Sequence, residues 1–147
     1  MSFVGRVKDR VAARRDKVVI SYEPHRDGDA DPGEVVWGWV PYEEDPSQGK
    51  DRPVVVIGRW GTDLAAVKLT SKDHPEDPDR VPVGTGAWDP ERRPSWACVD
   101  RILRFTARDV RREGCALDEP RFRQLVDELT ARQSRPAAGS RRSPRGR

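Results

Sequence analysis

The sequence has little of what most enzymes use. Its 147 residues include two cysteines, Cys98 and Cys115, and two histidines, His25 and His74. Two cysteines with no CxxC and no Cys/His ligand spacing exclude a disulfide framework and a zinc module. GxSxG, Walker and HExxH motifs are absent, which excludes the standard serine-hydrolase, P-loop and zincin signatures. No apolar run approaches the roughly 20 residues of a membrane span. The N-terminus is basic but has no apolar stretch of the secretory type, so the expected compartment is the cytoplasm and no membrane partner is expected. Hydrophobic residues make up 35% and charged residues 36%, which limits the chain to one modest core.

Charge is plentiful and unevenly placed. Residues 1–17 carry six basic and two acidic residues, and residues 132–147 carry six arginines and no acid. Against a total of +3, the intervening 18–131 therefore carries about −7. A body of that sign must concentrate its cations locally, or recruit its tail, to hold a polyanion.

Hydrophobic patterning reads as many short strands followed by helix. Phe3, Val4, Val7, Val11 and Ala12 give a rough helical stripe over 3–17, and 18–22 is a candidate strand. Glu23 to Pro32 reads as a loop. From Gly33, Val35, Trp37 and Trp39 alternate with Val36, Gly38 and Val40, as in a strand. Pro41 to Asp51 reads as a long polar loop. Val54 to Ile57 is unbroken apolar, as in a central strand. Leu64 to Leu69 is the next strand, after a turn at Trp60 to Asp63. Asp73 to Arg80, with two prolines and four acids, is an exposed loop; Pro82 confines Val81 to Val83 to an edge. Ser95 to Val99 and Asp100 to Phe105 continue the β pattern. Thr106 is a candidate cap for a short helix ending at Gly114. Asp118 can cap a second helix, in which Phe122, Leu125, Val126 and Leu129 form an apolar face. The expected fold class is mainly β with a C-terminal helix, a small barrel or sandwich. The expected boundaries are an N-terminal extension over 1–31, a body over 32–133 and a basic tail over 134–147 too polar to order itself.

Candidate chemistry is sparse. His25 and His74 could act as base and acid, but each sits beside a proline in a loop, where a solvated histidine is the simpler reading. Asp73, Glu76, Asp77 and Asp79 are interrupted by Pro75 and Pro78 and lack EF-hand spacing, so they read as a solvated loop rather than a metal site. What remains is Ser47 to Pro53, entering the central strand, and Lys68 to Lys72, leaving the next. Two neighbouring strand ends bearing Arg, Thr, Ser and Lys suit a phosphate, because guanidinium offers several fixed donors and keeps its charge. A polar sheet rim would look the same.

These segments resemble the PemK/MazF family. The resemblance rests on Gly33-Glu34-Val35-Val36-Trp37, on Gln48-Gly49-Lys50-Asp51-Arg52-Pro53 before Val54 to Ile57, on Leu69-Thr70-Ser71, and on Ser95 followed by Asp100-Arg101-Ile102. It covers roughly Pro32 to Ala131. It implies an SH3-like small β-barrel (PemK/MazF/CcdB-like) with a C-terminal helix, usually a homodimer. It also implies metal-independent cleavage of single-stranded RNA at short motifs, with no cofactor, and a small antitoxin partner with an acidic tail. Carried over residue by residue, Arg52 matches the catalytic arginine and Thr70 the catalytic hydroxyl. Gln48, Lys50, Ser71 and Lys72 are the next candidates, for RNA contact. Trp60 and Trp88, in turns, are the candidates for base stacking, whereas Trp37, Trp39 and Trp96 suit a core or a dimer interface. The acidic Glu43-Glu44-Asp45 before the arginine loop departs from what an RNA site would favour. Two competing readings stand beside the toxin ribonuclease. One is a non-catalytic RNA binder or gyrase-poison-like member of the same barrel superfamily. The other is a structural protein that binds nucleic acid only through its tail.

Overall fold

The computed structural model describes residues 17–25 and 30–134, with the backbone alone at 112–114 and 133–134. The candidate helix over 3–17, apart from Lys17, and the basic tail from 135 lie outside the described residues. Among the described residues, eight strands and one α-helix follow in order: β1 (Val18–Ile20), β2 (Glu34–Pro41), β3 (Gly49–Trp60), β4 (Asp63–Thr70), β5 (Arg80–Gly84), β6 (Ser95–Cys98), β7 (Leu103–Phe105), β8 (Val110–Ala116) and α1 (Glu119–Ser134). The main path of the sheet is β5-β6-β4-β3-β2-β8, with β1 added to β3 and β7 to β4. All the pairs are antiparallel. The sheet is barrel-like but open, since the end strands β5 and β8 do not pair with each other. No helix among the described residues is long and apolar enough to cross a membrane.

The central strands are buried on both faces, which explains their unbroken apolar runs. Val54, Val55, Val56 and Ile57 of β3 are wholly inaccessible, and Leu64 to Val67 of β4 nearly so. One face, with Val35, Val55, Ile57, Val67 and Leu69, packs against Phe122, Leu125 and Leu129 of α1. The other, with Val36, Val54, Val56, Leu64 and Ala66, packs against Leu103 and Phe105 of β7. Asp118 caps α1 by accepting the Arg121 amide at 3.2 Å, as its place before Pro120 predicts. β1 belongs to this body: Val19 pairs with Arg59, and a Cβ at Gly58 would lie 2.1 Å from the Val19 carbonyl oxygen. Only glycine admits the strand at that distance.

Two expectations need correction. Thr106 opens a single 3-10 turn, Ala107–Asp109, and the segment to Gly114 is then strand β8 rather than helix. β8 pairs with β2, Val110 opposite Gly38, and ladder formation overrides local propensity. Gly114 lies in a bulge, where the register jumps from Val36–Arg112 to Val35–Cys115. The polar loop before β3 is also shorter than expected. β3 starts at Gly49, and Tyr42 N–H to Gln48 O at 2.9 Å closes the connection.

Candidate functional site

The site forms where β3 and β4 part. Their ladder runs from Trp60–Asp63 to Val54–Lys68 and stops there. Beyond it, β3 residues Gly49 to Pro53 stay paired with β2, whereas Leu69 and Thr70 of β4 pair with Ala97 and Trp96 of β6. Each strand is thus held by its outer neighbour, and a cavity of about 320 Å³ opens between them. Continuing the β3–β4 register outward would set Arg52 opposite Thr70, and both line the cavity.

The lining explains how a net-negative body could accept an anion. It contains six cations, Lys50, Arg52, Lys68, Lys72, Arg80 and Arg93, against two carboxylates, Asp51 and Asp89. Both carboxylates are already engaged. Asp51 takes a two-pronged pair from Arg111, at 3.2 and 2.6 Å. Asp89 accepts from Arg93 Nε at 2.8 Å, and this bond, opposed by burial and helped by backbone donors, holds its carboxyl below the usual range. Arg80 pairs with Asp77 at 3.2 Å. Lys50, Arg52 and Lys72 have no ion pair among the described residues, so their charge is available to a ligand.

The Thr70 hydroxyl accepts the Lys72 amide at 3.1 Å. Its oxygen is thereby oriented and its own proton remains free to donate. The far wall is built by the 85–94 loop. Trp88 is 3% exposed, and its Nε1–H donates to the buried Ser95 Oγ at 3.0 Å. A Cβ at Gly86 would lie 2.2 Å from the Trp88 ring, so the loop backbone lies directly against the indole.

Of the residues singled out from sequence, Arg52, Thr70, Lys50, Ser71 and Lys72 come together in this cavity. Gln48 does not line it; it sits exposed at the end of the β2–β3 connection, its amide donating to Asp45 O. Trp60 stands eight residues further along β3, roughly 26 Å at strand rise. There it borders a second cavity of about 610 Å³ with Trp39 and Arg101, and the Arg104 guanidinium lies 5.2 Å from its ring centroid. Stacking by Trp60 next to Arg52 is therefore not what the geometry offers. Trp88 is a buried wall rather than an exposed platform, and it is the half-buried Trp37 that lines the cavity as well. His25 and His74 are separated: His25 Nδ1 lies 3.3 Å from Asp31, while His74 lines the cavity. Arg80 and Arg93 line the cavity too and carry no sequence signal that marks them. Lys68 lies in the Lys68 to Lys72 segment singled out from sequence, two residues before Thr70 on one strand face, though it was not named for RNA contact.

The fold and site together define a small barrel-like β protein with a C-terminal helix and a cation-lined cleft between parted strands. A crystal structure of MazF (Form-I) from Deinococcus radiodurans shares this fold, with a TM-score of 0.59 at 16% identity, over 74% of this chain and 100% of that one. The family model for the PemK-like, MazF-like toxin of type II toxin–antitoxin systems matches residues 31–131. The chain belongs to that toxin family. β1 lies outside the matched stretch yet is part of the sheet. Among curated proteins none matches the chain.

Proposed function

We propose that this toxin is an endoribonuclease that cuts single-stranded RNA at a short motif without a metal ion. The 2′-hydroxyl attacks the adjacent phosphate, leaving a cyclic phosphate and a free 5′-hydroxyl. The observation that carries the reading is the convergence of Arg52 and a donor-ready Thr70 hydroxyl in a cavity lined by six cations. Negative charge grows on the phosphoryl oxygens in the transition state, and donors fixed in advance stabilise it more than they stabilise the ground state. Arg52 is the charge stabiliser and Thr70 donates to the phosphoryl group. Lys50, Ser71 and Lys72 hold the flanking phosphates. An acidic antitoxin segment would compete for the same cations. Trp39, 55% exposed beside the second cavity, belongs to an apolar surface suited to a homodimer.

The test is incubation of the full chain with a long single-stranded RNA in EDTA, beside Arg52→Ala. Discrete cuts with 5′-hydroxyl ends, lost in the variant, are expected. Intact RNA with folded protein across several RNAs would replace the enzyme with a non-cleaving binder or a protein poison.

A further inference from the structure

The reaction needs a group to take the 2′-hydroxyl proton, and the cavity lining narrows the choice. Lysine and arginine side chains carry their protons at neutral pH and are poor bases there. That sets aside Lys50 and Arg52 of β3, Lys68 of β4, Lys72 just beyond it, Arg80 of β5 and Arg93. The two carboxylates are committed. Both oxygens of Asp51 face Arg111, and Asp89 is held by Arg93, which makes it a weak acceptor. The hydroxyls of Thr70, Ser71 and Ser95 are not bases. His74 remains, half-buried in the same lining, four residues beyond Thr70. Imidazole is the side chain type that exchanges a proton near neutrality.

The loop around His74 is fixed in a way that suits such a role. The His74 carbonyl accepts the Asp77 amide at 2.8 Å. The Asp77 carboxylate is occupied by the Asp79 amide and by Arg80. Asp79 in turn pairs with Arg132 of α1 at 2.9 Å. Asp73 and Glu76 of the same loop are exposed and do not line the cavity. The acids next to His74 in sequence are thus turned to loop structure or solvent, and the charges that share its cavity are mainly cations.

We infer that His74 is the general base of the cleavage, resting on the ribonuclease reading above. Its ring nitrogen takes the 2′-hydroxyl proton as the O2′–P bond forms and the P–O5′ bond breaks. The departing O5′ is protonated from water and His74 returns its proton to solvent, so the net proton count is unchanged.

The test is the pH dependence of single-turnover cleavage in EDTA for the wild-type chain and His74→Gln. Binding is measured in parallel on the same RNA with 2′-O-methyl groups, which cannot be cut. The wild-type rate should rise with unit slope from acid pH to a plateau. His74→Gln should lose that limb and run on the order of 10²–10⁴-fold slower at the plateau, with binding of the methylated RNA unchanged. Added imidazole should restore part of the rate to His74→Ala. A wild-type rate and profile in His74→Gln, while Arg52→Ala is dead, would overturn this role alone. A slower His74→Gln that keeps the wild-type limb and ignores imidazole would also overturn it, leaving a positioning effect. RNA left intact by the wild-type chain would remove both this role and the ribonuclease reading.

Discussion

Thr70 has its oxygen committed and its proton free, because the Lys72 amide donates to it. A side chain of the same shape without the hydroxyl therefore isolates one donor. Thr70→Val should lower single-turnover cleavage by about 10²–10³-fold with little change in melting temperature, and Thr70→Ser should retain most of the rate. Asp89 gives a prediction in pH. Its folded carboxyl sits below the ordinary range, first through the Arg93 hydrogen bond. A lowered carboxylate contributes stability that is fully present above the unfolded value of about 3.9 and is lost as pH falls through the folded value. Asp89→Asn should melt below wild type at pH 7, and the gap should close as pH drops under about 4. Thermal scans at both pH values check this. Arg52 and Thr70 were singled out through the family resemblance, and the structure brings the two into one cavity. Trp88 reads from sequence as a turn residue open to stacking, because only the tertiary arrangement buries its indole against Gly86 and Ser95.

Elements declared themselves where periodicity was undisturbed. The run Val54 to Ile57 and the i, i+3, i+4, i+7 face of α1 both appear as read. β8 escaped because Thr106 and Gly114 mimic helix end signals, while the bulge that Gly114 serves depends on β2 lying alongside. The start of β3 escaped for a related reason. Gly49 to Asp51 looks polar and loop-like, yet its partners in β2 define it as strand. The helix is attached by few residues, and this can be measured. Leu125 is wholly buried, so Leu125→Ala should cost about 2–5 kcal/mol, read as a lower denaturant midpoint. Arg123, paired with Glu119 on the exposed side of α1, should change stability by no more than about 0.5 kcal/mol when replaced by alanine.

Across the whole chain, the charge pattern and the cavity are complementary. The negative sum over 18–131 does not describe the site, because acids lie elsewhere or are paired while cations gather between β3 and β4. Sequence alone shows the sum and not this sorting. Residues 135–147 add five arginines that follow α1, whose Arg132 is already bonded to Asp79 in the loop carrying His74. Removing 135–147 should weaken binding to single-stranded RNA and flatten the salt dependence, which has a log–log slope of about −0.7 per phosphate neutralised. The cleavage rate at saturating RNA should hold. Titrations at several salt concentrations measure the first, and single-turnover kinetics the second.

The parting of β3 and β4 has a mechanical meaning. Arg52 rides on a strand zipped to β2, and Thr70 on one zipped to β6. The separation of Arg52 from Thr70 is therefore set by where the shared β3–β4 ladder ends, at Val54 and Lys68, and not by either outer ladder. For the cleavage proposed above, a molecule lodged at that fork, touching neither side chain, should slow the reaction as one that fills the cavity does.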